Sequence, residues 1–374
     1  MTFTVSSGVL SAKLSAIAKV INPKHQLLML KQTAFEVIGP TLRLTGSDGE
    51  NTLVTNIPLV ASDGDQTFGL EATLLLDAVK GLAEEPITFD VVNGIATISY
   101  HNGYFTLPVD EIAGEYPWPA DLDGDIREKG IKSSVLAENI GRSLFAAATE
   151  ELRPIMRGVF FDFETDNLSI VASDGRKLVS SQINSIKSEE PVSFVLPMKP
   201  SSILSSLLPN DDSNAVIKFN DKKVRIAFTD TVLTSCLIDG HYPNYRSVFP
   251  KDNINKAVVS RRDLLAADKR ILPFASQSSK LVCLHFEPRF VRLDAKDTDF
   301  SRAATETVEA TYDGQAMDIG FNGQALADVL TNLESDEVEI SLSDPSRAGI
   351  VMPCENPEDT EILMLLMPML ISRI

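Results

Sequence analysis

VASDGRKLVSS (171–181) reads as strand, turn and strand: an apolar run, an Asp-Gly pair suited to a tight turn, and a second run. LTGSDGENTLVTN (44–56) repeats the phrase, with Asp48 lying 126 residues before Asp174. A blurred third copy, LDAKDTDFSRAAT (293–305), puts Asp297 123 residues after Asp174. One phrase spoken three times, at a third of a 374-residue chain, means a tripled domain. Solenoid repeats are shorter, about 20–50 residues.

The copies align outward from these turns. FGLEATLLLDAVKGL starts at Phe68 and FVLPMKPSSILSSLL at Phe194, each 20 residues past its aspartate; IGFNGQALADVLTNL starts at Ile319, 22 past. Each is a strand running into a helix with apolar residues at helical spacing, as in Leu75, Val79 and Leu82. Hairpins follow at 87–100, 215–228 and 338–352, with turn residues at their centres. A second amphipathic helix opens each copy, at 7–21, 133–149 and 260–275; its stripe in the first is Leu10, Leu14, Ile17 and Ile21. Two helices packed on the strands of an antiparallel sheet make an α+β layer domain. Three tandem domains are expected at 1–120, 129–248 and 249–374, with acidic, turn-rich joints at 119–130 and 249–256.

Composition is that of an ordinary globular protein: 44% hydrophobic, 23% charged. The most apolar run, ILMLLMPMLI (362–371), has a proline inside and is far short of the ~20 residues a helical span needs. The N-terminus alternates like a strand and lacks the pattern of a signal peptide. Cys236, Cys283 and Cys354 have no CxxC spacing and read as reduced core thiols of a cytosolic protein. No nucleophile elbow, phosphate loop or dinucleotide fingerprint occurs, and the four histidines form no metal-binding pair. No catalysis, metal or cofactor is expected. For Asp48 and Asp174 the reading is a turn, Asp bonding the local backbone and Gly supplying positive φ.

The net charge of −18 argues against a nucleic-acid partner only as a whole-chain average. The six expected helices carry a small positive excess, and Arg142 falls opposite the apolar stripe of 133–149. Two readings fit these charges: ordinary solvated faces, or faces turned toward one shared anion.

The tandem layout, with TLRLTGSDGE, LSIVASDGRKL, LIDGHYPNYRSVFP and the terminal LLMPML, closely resembles the bacterial DNA polymerase III beta subunits, the sliding clamps, over essentially the whole chain. The resemblance implies a crescent protomer and a head-to-tail homodimer, a ring of six domains around double-stranded DNA bound without regard to sequence. It implies a processivity factor with no catalytic role and no attachment to membranes. The expected duplex-facing residues are Lys24, Lys80, Arg142, Lys199, Arg262, Lys269 and Arg270. A hydrophobic groove between the second and third domains is implied to capture short peptides from the polymerase III alpha and clamp-loader delta subunits, other DNA polymerases and repair proteins. The matching positions are Met156, Ser173, Gly175, Arg176, Leu178, Pro243, Val248, Leu365, Leu366, Met367, Pro368 and Met369. From pattern alone, Leu365–Met369 also reads as a final core strand. For the dimer contact the expected residues are Phe105 and Leu107 of the first domain, and Leu272 and Phe274 of the third. Pro108 suits an edge strand. Ser247, the order Arg176-Lys177 and the tail LISRI depart from the family pattern and bear on the groove's rim.

Overall fold

The computed structural model describes residues 1–112, 116–119 and 121–371; the last three residues of the LISRI tail lie outside them. In the first copy Thr2–Ser6 (β1) leads into helix Ser7–Ala18 (α1). Gln32–Ile38 (β2), Thr41–Ser47 (β3), Asn51–Pro58 (β4), the short Ala61–Ser62 (β5) and Gln66–Glu71 (β6) follow, then helix Ala72–Lys80 (α2), Pro86–Val92 (β7), Ile95–Tyr100 (β8) and Gly103–Pro108 (β9). The second copy comprises Arg127–Lys132 (β10), helix Ser133–Leu144 (α3), Gly158–Phe163 (β11), Leu168–Ser173 (β12), Lys177–Ile183 (β13), Val192–Pro197 (β14), helix Met198–Leu207 (α4), Asn214–Phe219 (β15), Lys223–Phe228 (β16) and Thr231–Cys236 (β17). The third has Asn255–Ser260 (β18), helix Arg261–Ile271 (α5), Leu281–Glu287 (β19), Phe290–Asp297 (β20), Arg302–Tyr312 (β21), Met317–Asn322 (β22), helix Gly323–Thr331 (α6), Glu337–Leu342 (β23), Gly349–Pro353 (β24) and Thr360–Leu366 (β25). Apart from β5, every copy is strand, helix and three strands, performed twice.

Local chemistry sets these elements. Ser6 and Ser260 accept the Val9 and Asp263 amides at the starts of α1 and α5, and Asn322 accepts the Ala325 amide at the start of α6. The helices stop before their apolar stripes do. α1 ends at Ala18 ahead of Asn22-Pro23, and α5 gives way at Ile271 to a single 3-10 turn containing Pro273. Between β7 and β8, Asn93 and Gly94 both have positive φ, as the tightest hairpin turn requires.

The strands of the first and second copies divide between two sheets, where the sequence pattern suggested one; those of the third are joined in a single sheet by the pairing of β18 with β21. In the first copy β5-β1-β7-β8-β9 is one sheet; β6-β2-β3-β4 continues across β17-β16-β15-β10 into the second. The other half of the second copy, β14-β11-β12-β13, runs on through β25-β24-β23-β18 and β21-β20-β19-β22 of the third. The middle copy thus lends one sheet to each neighbour. Two compact units result: Met1–Glu138 with Lys199–Leu237, and Asn139–Met198 with the chain from Ile238 on.

In the first unit α1 packs on α2, and Phe3 stacks on Phe89 with ring centres 4.7 Å apart, beside the stacked pair Phe35 and Phe68. In the second, α5 and α6 cover Leu284, Phe286 and Leu293. Each such fully buried side chain contributes roughly 1.5–3 kcal/mol of transfer free energy. The cysteines depart from expectation: Cys236 and Cys354 are exposed and Cys283 half-buried, all free thiols. No helix among the described residues is long and apolar enough to cross a membrane.

Candidate functional site: a groove at the β13–β25 seam

The turn that decided the fold also builds the site. Asp174 Oδ1 accepts the Arg176 and Lys177 amides at 2.8 and 2.9 Å, while the Ser173 hydroxyl donates to the Lys177 carbonyl. Asp48 does the same with Glu50 and Asn51, and Asp297 with Asp299 and Phe300. Gly175 stands at φ +86°, and a Cβ there would run into the Arg153 guanidinium. Only glycine meets both conditions.

Along the seam Lys177 faces Leu366 and Leu178 faces Leu365. Strand alternation then sends the two leucines to opposite sides. Leu365 packs with Val171, Leu178, Tyr245 and Ala348, whereas Leu366 joins the larger core beneath α5 and α6. The Met367 amide donates to the Arg176 carbonyl at 2.8 Å, holding the next side chain at the rim, 45% exposed.

The segment after β17 closes the third side. Tyr242 stacks on Phe160, centres 4.5 Å apart and ring planes nearly parallel. The Tyr245 hydroxyl donates to Asp162 at 2.9 Å, and Arg246 bridges Asp162 and Glu164. Burial holds both phenols above their ordinary range, and the charges of Asp174 and Asp162 act in the same direction. Anchored this way, Pro243, Asn244 and Val248 overhang an open cavity of about 220 Å³, whose remaining lining includes Met156, Ser173, Gly175, Leu178, Leu365 and Met367. A mostly apolar recess of this size accepts one or two side chains of a ligand, not a whole metabolite.

Eight of the twelve expected positions therefore line one cavity. Leu366 does not, because it is a core residue of the opposite strand face. Arg176 contributes its carbonyl while its side chain is exposed elsewhere, Pro368 lies beyond the lining, and Met369 is tied by its amide to the Gly320 carbonyl at 2.7 Å. Sequence reasoning missed Arg153, Lys177, Tyr242, Asn244 and Tyr245. Tyr242 and Tyr245 stood within the DGHYPNYRSVFP phrase; Arg153 left no local signal.

The basic residues divide. Lys24, Lys80 and Lys269 are exposed, with no carboxylate in ion-pair range among the described residues. Arg262 lies 3.6 Å from Asp336, and the Arg270 guanidinium grips Glu306 with two of its three nitrogens, Nε and Nη2. Lys199 donates to the Val20 carbonyl at the end of α1 and to Asp48 of the first turn. Burial acts to raise the Asp48 carboxyl, but Lys199 and the Asn51 groups outweigh it and leave it below the ordinary range. Arg142 is a correction: it is 4% exposed, its guanidinium donating to Asn139 Oδ1. A helical wheel puts it opposite the stripe, yet that side of α3 is enclosed as well. Of the contact residues, Phe274 is 42% exposed and Leu272 half-buried, but the Leu107 side chain is buried. β9 itself is the last strand of its sheet.

Models of the N-terminal, central and C-terminal domains of the DNA polymerase III beta subunit match residues 1–119, 130–244 and 246–370. The beta sliding clamp of Haemophilus influenzae is 27% identical over 375 residues, spanning 99% of this chain and 100% of that one. The Escherichia coli beta sliding clamp is 26% identical over 349 residues, 92% of this chain and 93% of its own. Among solved structures, the DnaN sliding clamp of Pseudomonas aeruginosa bound to griselimycin superposes with a TM-score of 0.93 at 26% identity, covering 99% and 100% of the two chains. The beta subunit of Thermotoga maritima gives 0.90 at 25%, with the same coverage.

Proposed function

The chain belongs to the DNA polymerase III beta subunit family, the non-catalytic sliding clamps that confer processivity, and on that premise we propose that it closes head to tail with a second copy into a ring around double-stranded DNA. The observation that carries this is the unused third seam. Two seams already lie within the chain: β4 pairs with β17, and β13 with β25, both antiparallel. In each, the fourth strand of one copy's first half meets the last strand of the next copy. By that rule β21, which meets β18 only through Ala310–Tyr312, needs a last strand along Arg302–Glu309, and β9 is the one left over. The residues opposite the turn aspartates are Asn51, Lys177 and Arg302. Asn51 faces Ser235 and Lys177 faces Leu366, which occupy equivalent positions in their strands; the equivalent on β9 is Leu107.

The rule thus gives a register: Arg302 opposite Leu107, Ala303 opposite Thr106 and Ala304 opposite Phe105 of the second copy. The buried Leu107 side chain is no obstacle, since Ser235 and Leu366 are buried too and join through their backbones. A heterologous contact of this kind closes into a ring when its rotation allows. The test is a disulfide. In a background with serine at Cys236, Cys283 and Cys354, Thr106→Cys with Ala303→Cys should cross-link into a closed dimer, while Thr106→Cys with Ala304→Cys should not. Equal trapping of both pairs, or a strictly monomeric protein of 40.8 kDa, overturns the seam.

The groove, on this reading, holds short apolar peptides of the polymerase alpha subunit, the clamp-loader delta subunit and other polymerases and repair proteins. Met156 and Met367 can repack around different side chains. The small recess points to exchangeable, roughly micromolar binding. Lys24, Lys80, Lys199, Arg262, Lys269 and Arg270 are proposed to meet the duplex. Their sparse charge, partly offset by Asp48, Asp336 and Glu306, would hold phosphates without reading bases, as sliding requires. The cytoplasm is the compartment this role implies.

A further inference from the structure

The three copies disagree at one core position. Leu10, Leu136 and Leu264 occupy the same place in α1, α3 and α5; one turn later stand Leu14, Ile140 and Asp268. Leu14 is 1% exposed, Ile140 0% and Asp268 0%. A carboxyl therefore fills a site that two sister copies fill with hydrocarbon, and neither of its oxygens has a hydrogen-bond partner among the described residues. An unpaired carboxylate in such a place is costly.

Its helix connects it to the proposed intermolecular seam: α5 packs on β21, and Arg270, two residues on from Asp268, holds Glu306 of that strand. A Cβ on Gly323, the first residue of α6, would lie 3.1 Å from Asp268 Oδ1 and 2.8 Å from Leu272 Cδ1. The first residue of α2 is alanine and that of α4 methionine; the third copy has a glycine there, with Asp268 and Leu272 against it. The Asp268 carbonyl accepts the Leu272 amide, and Leu272, Gln324, Ala327 and Lys269 line an open cavity of about 310 Å³ above. The nearby charges are Asp328 on α6, held by Gln324, and Lys269 on α5; β18, β20, β21 and β23 turn apolar core residues toward the helices.

We propose that Asp268 makes closure of the intermolecular seam proton-dependent, the joint forming with the carboxyl neutral and loosening as it ionises. This rests on the head-to-tail assembly proposed above. Burial first, then the negative charge of Asp328, against a smaller pull from Lys269, pushes the carboxyl up to about 7. A partner strand seated along β21, which the Leu272–Phe274 turn touches, removes water from that end of α5 and raises the cost of the charged form further. For an acid raised on association, binding is strongest at low pH and weakens as pH rises through the free chain's value, hence above about 7.

The experiment is sedimentation equilibrium of the full chain at pH 6.0 and 8.5, for the native protein, Asp268→Asn, which keeps the shape, and Asp268→Leu, which copies α1. The native dimer should dissociate at least about tenfold more readily at pH 8.5, the change produced by a one-unit shift. Both variants should show nearly equal constants at the two pH values. A monomer at both pH values overturns the assembly itself. A dimer with no pH dependence, or one whose pH dependence survives in both variants, overturns the role of Asp268 and leaves the assembly standing.

Discussion

Asp48 and Asp174 show how much one side chain can settle. The turn chemistry read from an Asp-Gly pair is the chemistry found, amide for amide, in the first two copies, and Asp297 keeps the aspartate bonds without the glycine. What no turn pattern could reveal is that Asp48 also receives Lys199, 151 residues away. Removing that charge with Asp48→Asn should cost about 1–2 kcal/mol at pH 7, the loss expected for hydrogen bonds to a charged acceptor. Because the folded carboxyl lies below its ordinary 3.8, its contribution is present above about pH 4 and fades as pH falls further. Urea midpoints of the native and variant proteins should therefore differ at pH 7 and draw together in acid as the folded carboxyl takes up its proton. Arg142 is the contrary case. Its helical position was legible, but its enclosure depends on distant parts of the chain that a helical wheel does not contain.

Among elements, the helices and hairpins were legible because their periodicities are local. The division of the first two copies between separate sheets was not, since it depends on which strands pair across a hundred residues or more. The same limit explains the groove. Leu365 and Leu366 look alike in LLMPML, and only the register of β25 against β13 separates them. Leu365→Ala should weaken capture of an apolar peptide about tenfold or more while barely disturbing the larger core. Leu366→Ala should instead cost about 2–4 kcal/mol of stability, as cavities in packed cores do. Peptide titration by fluorescence anisotropy, run beside thermal melts, separates the two. If Leu366→Ala loses the peptide with its melting temperature intact, the assignment of faces is wrong.

For the whole molecule, tripling was visible in spacing alone, yet the charge pattern spoke only weakly. A net charge of −18 coexists with three exposed lysines, Lys24, Lys80 and Lys269, that have no ion-pair partner among the described residues. Reversing all three to glutamate should shorten retention on nicked circular DNA by an order of magnitude or more and flatten its dependence on salt, since each lost phosphate contact reduces the salt slope by about one. Unchanged retention would remove these lysines from the DNA-binding surface.

The lending of sheets by the middle copy has a consequence for dissecting the protein. Scissors placed at the repeat borders would not release three free-standing pieces. They would strip β17 from β4 and β25 from β13, leaving raw hydrogen-bonding edges of the kind that invite aggregation. The excised middle piece would inherit two orphaned half-sheets and no neighbour to complete either.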